Sequence, residues 1–281
     1  MRHLPAVLIE PLVREALRED LGRAGDLTTD WTVPADRVAT AELVARDPGV
    51  VAGTDLAVAA FGLLEPRLEV EVRRPDGSAV AAGDVVARVS GPARAILTAE
   101  RVALNFLGHL SGVATATAEV AGAIAHTRTR VCCTRKTTPG LRAVEKHAVV
   151  AGGGVNHRFG LDDAVLIKDN HVALAGGVAA AVRRVREAAG HLVPVEVEVD
   201  TLDQLRELLT MPVDAVLLDN MSPAQLTEAV GLVAGRMITE ASGRLTAATA
   251  PAVAESGVDL VSVGWLTHSA PVLDIGLDLS L

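Results

Sequence analysis

The apolar positions of this chain change period about midway along. Residues 11–21 read as a helix and are followed by a turn at Gly25-Asp26. Short strand-like runs then appear at 41–45, 68–72 and 85–89, divided by Pro and Gly. That mixture predicts a small α+β domain rich in antiparallel strands. Next, Ala99, Val102, Ala103, Phe106, Leu107 and Leu110 share one face of a helix. Arg101, Asn105 and His109 lie four apart on another face, which periodicity alone reads as a solvated surface. From residue 130 the rhythm is different. Strand-like runs recur at 130–133, 164–167, 193–199, 215–218, 236–239 and 260–263. Helical, Ala-rich stretches fill 172–189, 202–209, 224–233 and 247–255 between them. Such alternation implies right-handed βαβ units and a parallel sheet. Without a G-x-G-x-x-G turn, a barrel of the triosephosphate-isomerase type is favoured over a doubly wound sheet.

Composition narrows the partners. The chain has 281 residues, 49% hydrophobic and 22% charged, which is a globular balance. Aromatic residues make up 2% with no Tyr, so neither aromatic stacking on a ligand nor a single-strand nucleic-acid platform is expected. A net charge of −9 argues against a nonspecific polyanion binder, so any anion must be held by a local cation cluster. The two cysteines, Cys132 and Cys133, are adjacent and point to opposite faces of a strand, which disfavours a disulfide between them. No cationic leader or long uncharged apolar segment is apparent, and the chain reads as cytoplasmic, without membrane or nucleic-acid partners.

Reactive groups end nearly every strand of the second half. They include Arg135-Lys136, Lys168 to His171, Glu198 to Asp200, Asp219-Asn220, and the Glu240 to Gly243 run. Helix capping explains Asp200 or Ser222, but not Arg, Lys and Glu at strand ends. In parallel barrels the C-terminal strand ends carry the site. The run TRKTTPGLR (134–142) sets Arg135 and Lys136 before a Pro-Gly turn, an anion-binding arrangement. The stretch 152–171 adds His157, Arg158 and Lys168. In VPVEVEVD the valines at 195, 197 and 199 share one face, which turns Glu196 and Glu198 into the barrel.

With Asp219, Glu198 suits Mg²⁺, directly or through water, or sugar hydroxyls; both acids also suit plain ion pairs with Lys136 and Lys168. No His-x-x-x-His or Glu-x-x-His spacing suggests a transition-metal cage. EASGRLT (240–246) and VGWLTHS (263–269) close the last two strands, where barrels commonly seat a phosphate. Together, Arg101, Arg135, Lys136, His157, Arg158 and Lys168 offer positive charge to a small polyanion beside a phosphorylated sugar. A Schiff base on Lys168 is the competing chemistry.

These motifs, with GDLTTDWTVP, ERVALNFLGHLSGVAT, EKHAV, VLIKDNH and LLDNM in order along the chain, resemble the quinolinate phosphoribosyltransferases. The resemblance implies an incomplete α/β barrel over 106–267 and an N-terminal α/β sandwich domain over 1–105, joined by the tail 268–281. It implies transfer of phosphoribosyl from phosphoribosyl pyrophosphate (PRPP) to quinolinate with loss of CO₂, aided by Mg²⁺. Arg101, Thr134, Arg135, His157, Arg158 and Lys168 would hold quinolinate. Lys136, Lys168, Glu198 and Asp219 would be catalytic, with Lys136, Glu198 and Asp219 at the ribose and pyrophosphate and the two acids at the metal. Ser242, Gly243 and Gly264, flanked by Arg244, Val263 and Trp265, would hold the 5-phosphate. Arg101 would reach the barrel of a neighbouring subunit, so that a homodimer, or a hexamer, is expected instead of a bare solvated face. Cys133, Val150-Ala151, Arg244 and Trp265 depart from the usual pattern and leave open a paralogue for another pyridine carboxylate.

Overall fold

The computed structural model describes residues 3–280, which gather into two compact units. The first holds residues up to 118, 138–153 and those from 269; the second holds 119–137 and 154–268. This division differs from the expected boundary at 105/106, because helix α4 (Ala93–Ala123) runs unbroken through it. No helix among the described residues is long and apolar enough to cross a membrane.

In the first unit, α1 (Ala6–Leu21) buries Ile9, Val13 and Leu17 at helical spacing and starts ahead of residue 11, so Pro11 lies inside it. Instead of a bare turn at 25–26, Asp26 caps a further helix, α2 (Leu27–Thr32), by accepting the Thr29 N–H at 2.9 Å. An antiparallel sheet follows, in the order β12-β1-β5-β3, from β1 (Val38–Ala45), β3 (Glu69–Val72), β5 (Val85–Pro92) and the tail strand β12 (Ile275–Ser280). Helix α3 (Thr54–Leu64), unforeseen because its Ala and Val carry little periodic contrast, buries Leu56, Ala60 and Phe61 and packs beside α1. A short ladder pairs β2 (Gly49–Val50) with β4 (Ala79–Val80).

Helix α5 (Arg142–Ala151) also belongs to this unit and not to the barrel, although it lies within 106–267. Its buried polar groups account for that. Asp76 accepts from His147 at 2.9 Å, and fully buried Glu145 holds both His109 Nε2, at 2.9 Å, and the Thr138 N–H, at 3.0 Å. Helix α4 is about 46 Å long at 1.5 Å per residue. Its apolar face continues past Leu110 through Val113 and Ala114, both fully buried. At Gly112 an added Cβ would overlap the Pro271 carbonyl oxygen. That carbonyl precedes β12, whose ladder to β1 resists a shift. We therefore expect Gly112→Ala to cost about 1–3 kcal/mol, read as a Tm lowered by several degrees.

The second unit contains the parallel sheet. Its strands are β6 (Arg130–Cys132), β7 (Val165–Ile167), β8 (Val195–Val199), β9 (Ala215–Asp219), β10 (Ile238–Ser242) and β11 (Leu260–Ser262). They stand in the order β6-β11-β10-β9-β8-β7. Five consecutive strands step in one direction and the first pairs with the last, as in a barrel left open between β6 and β7. Across that gap Val155 bridges Cys132 in parallel fashion. This is the incomplete α/β barrel expected. The helices are α6 (Asp169–Ala175), α7 (Val178–Ala188), α8 (Leu202–Leu208), α9 (Pro223–Val233) and α10 (Ala250–Ala254). The single helix expected over 172–189 is split by Gly176 and Gly177, at φ +86° and +119°.

Candidate active site

A cavity of about 360 Å³ opens at the C-terminal ends of these strands. The valines of β8 are buried, and the alternating Glu196 and Glu198 face the interior with side chains only 12% exposed. Register then selects the neighbours: Glu198 sits across from Leu217, Leu217 from Glu240, and Asp219 from Ser242. The same pocket receives Thr134, Arg135 and Lys136 from the end of β6, His157 and Arg158 from the segment across the gap, and Lys168 from the end of β7.

The pocket is rich in cations that the protein does not satisfy. Arg135 Nε and Arg158 Nε are both buried without a hydrogen-bond partner. Burial, then the nearby Arg135 charge, pull the Arg158 guanidinium below its ordinary range. One Arg158 nitrogen donates to the Ala164 carbonyl at 3.0 Å. Lys168 Nζ donates to Glu198 Oε2 at 2.7 Å, in a charged pocket unlike the apolar one a Schiff-base lysine wants. Two guanidinium groups with spare donors side by side form a receptor for a compact dianion.

Near the end of β11, Lys136 lies along Gly264, where a Cβ would come within 2.9 Å of its Cδ. The Thr267 hydroxyl donates to the Lys136 carbonyl at 2.7 Å. Gly243 is equally crowded, since a Cβ there would stand 2.7 Å from Asn220 Oδ1. Arg244 is exposed at φ +47°, a left-handed backbone that favours small residues. Trp265 Nε1 donates to the Leu245 carbonyl at 2.8 Å, so its ring props the loop. Val263 needs correcting as a phosphate ligand: it is 1% exposed and its N–H is spent on the Cys132 carbonyl at 2.9 Å. Arg101 lies on α4 in the first unit, its side chain 64% exposed beside Glu100, and does not line the pocket. Cys133, a buried thiol, donates to Asn156 Oδ1 at 3.3 Å, which absorbs one departure from the family pattern into a structural contact.

Two acids absent from the expected ligand set are central to the interior. His157 Nε2 meets Glu196 Oε2 at 2.9 Å and Glu240 Oε2 at 3.7 Å. The sequence alone puts Glu240 beyond a strand ending at 239, whereas it sits inside β10, 2% exposed. The alignment of TEAS with VLLD on β9 is the signal that could have found it. The three side chains have metal-like spacing among the described residues. However, the Arg158 N–H donates to His157 Nδ1 at 2.8 Å, so Nε2 carries the ring proton and has no lone pair for a cation. Glu198 and Asp219, hard oxygen donors at the pocket mouth, suit a hydrated divalent ion better.

Comparison with known proteins agrees with this geometry. Family models described as quinolinate phosphoribosyl transferase match over residues 26–111 for the N-terminal domain and 113–278 for the C-terminal domain. The chain is 47% identical over 274 residues to the nicotinate-nucleotide pyrophosphorylase [carboxylating] of Mycobacterium leprae, covering 95% of each. It is 41% identical over 281 residues to the probable enzyme of that name from Bacillus subtilis, covering 100% of this chain and 96% of that one. The solved structure of the nicotinate-nucleotide pyrophosphorylase from Francisella tularensis superposes with a TM-score of 0.95 at 37% identity, covering 99% of this chain and 98% of the other. By fold, by pocket and by sequence across both domains, the chain belongs to the quinolinate phosphoribosyltransferase family.

Proposed function

We propose that this enzyme transfers phosphoribosyl from PRPP to quinolinate, releasing pyrophosphate and CO₂ and forming nicotinate mononucleotide for NAD biosynthesis in the cytoplasm. The observation that carries it is the pair of buried, unfilled donors Arg135 Nε and Arg158 Nε in one pocket with Lys168. A pyridine dicarboxylate supplies the two negative charges this wall lacks. Thr134 and His157 complete it. Lys136 beside Gly264, with Ser242, Gly243 and the exposed Arg244, faces the phosphates of the donor.

Glu198 and Asp219 would hold Mg²⁺, directly or through water, and would thereby bring charge neutralisation to the pyrophosphate leaving group. The same acids stabilise positive charge that develops on the ribose as its C1–O bond breaks. The pyridine nitrogen attacks C1, and the cationic ring then accepts the electrons of the departing 2-carboxylate. A proton from solvent is then taken up by the electron pair left at C2. The guanidinium wall keeps the 3-carboxylate fixed throughout, which is catalysis by positioning and electrostatics.

The test is one assay with quinolinate, PRPP and Mg²⁺ that follows pyrophosphate and nicotinate mononucleotide, with nicotinate in place of quinolinate as control. Turnover of nicotinate alone would defeat the proposal. We propose further that Arg101, exposed on α4, completes the pocket of a partner subunit in a homodimer. Mixing inactive Arg101→Ala and Arg135→Ala chains should then restore about a quarter of wild-type activity, since half the dimers are mixed and each has one intact site. No recovery on mixing would rule the shared site out.

A further inference from the structure

At the floor of the pocket, which His157 and Glu240 themselves line, Glu196 and Glu240 face the His157 ring at one level of the barrel. Their donor atoms and that of His157 lie within 4.8 Å of one another. This layer divides the barrel interior. Above it is the pocket; below it a second cavity of about 410 Å³ is lined by strand beginnings such as Val195, Ala215, Ile238 and Leu260.

The hydrogen bonds prescribe the state of the ring. A backbone N–H can only donate, so Nδ1, taking the Arg158 N–H at 2.8 Å, is the bare nitrogen. Nε2 therefore carries the proton and gives it to Glu196 at 2.9 Å. We propose that Glu240 is a positioning residue for the pocket: with Glu196 it clamps the His157 ring, and the ring in turn fixes the Arg158 backbone in the pocket wall. The clamp's importance to catalysis rests on the quinolinate function proposed above.

Glu240 is suited to this work as a neutral acid. It is 2% exposed, and its Oε1 is buried with no hydrogen-bond partner. Burial first, then the Glu196 charge, push its carboxyl up to about 7. Opposing them are His157 from the gap segment, Ser262 from β11 and Lys168 after β7. Among the described residues no hydrogen bond or ion pair joins Glu240 to Glu198 or Asp219. While Glu240 keeps its proton it adds no charge beside the ring. Once pH rises through about 7, Glu240 places a negative charge in the pocket floor. That charge pushes against a dianionic substrate, so the KM for quinolinate should climb on the alkaline side.

Three measurements test the clamp. Glu240→Ala opens space beside the ring and should raise the KM for quinolinate roughly tenfold while the KM for PRPP stays within about twofold. Glu240→Gln, neutral at every pH and of the same shape, should restore the wild-type KM and abolish its alkaline rise. In substrate-free protein, ¹⁵N spectra of His157, assigned with His157→Gln, should show a bare Nδ1 and a single protonated Nε2 resonance, which broadens or splits in Glu240→Ala, where the ring loses a neighbour, and stays single in Glu240→Gln. Equal shifts of both KM values, or the same alkaline rise in Glu240→Gln, would overturn the proposal. If Glu240→Ala fails to fold, the Glu240→Gln pH profile decides alone. The ring spectrum is independent of turnover, so a wild-type enzyme inert toward quinolinate would refute the function and leave the clamp to stand or fall on the spectrum.

Discussion

Arg135→Ala is expected to lower kcat/KM for quinolinate by a hundredfold or more, on the order of 3 kcal/mol of transition-state binding. Arg135 lies three residues past the end of β6, and its Nε is buried with nothing to donate to. In the free enzyme that donor contributes nothing; with a dicarboxylate bound it supplies a charge-assisted, forked contact. Truncation therefore strands a carboxylate in a site that has excluded water. It also leaves Arg158 as the lone guanidinium of the wall. Arg135→Lys separates charge from shape, because an ammonium keeps the former and loses the fork. An intermediate loss is expected for it. A kcat/KM for Arg135→Ala near the wild-type value would sink the assignment of this wall to quinolinate.

The second large effect is expected from Lys168→Met. Lys168 Nζ meets Glu198 Oε2 at 2.7 Å, and the two partners differ sharply in exposure, 46% against 12%. Removing the lysine strands a largely buried carboxylate as well as deleting a cation from the pocket. For fully buried pairs such a break costs about 3–5 kcal/mol; the partly exposed lysine lowers our expectation to about 2–3 kcal/mol, a roughly hundredfold loss in kcat/KM. Because Lys168 stands between the anion wall and the acid pair, both substrates should bind more weakly. The double variant Lys168→Met/Glu198→Gln should lose less than the two single losses added together. Additive losses would show that the two side chains act separately. Borohydride with a ketone substrate should leave Lys168 unmodified; trapping would revive Schiff-base chemistry.

Much of the barrel was legible from the alternation of strands and helices, since each strand's buried face and each helix's stripe are local properties. Valines at 195, 197 and 199 are buried in alternation with the two acids, and Glu198 did face the pocket. Boundaries were less readable where composition is uniform. The strand over 236–239 lies at Ile238–Ser242, because Met237 to Ala241 gives no contrast at its ends. Helix α5 looked like part of the barrel, being flanked by barrel motifs, yet Asp76 and His109 anchor it to the first unit. Those partners lie far away in sequence, and nothing in residues 142–151 announces them.

The chain alone was enough to set the periods, the cations and acids at strand ends, and the family they resemble. All of these depend on spacing along one strand or helix. Three-dimensional packing was needed to learn that Arg135 and Arg158 lie close together with unfilled donors, that Val263 has nothing to offer a phosphate, and that Glu240 shares a buried layer with Glu196 and His157. The reason is register. Period-two alternation says which face a side chain takes, but a shift of one residue between neighbouring strands exchanges every partner across them.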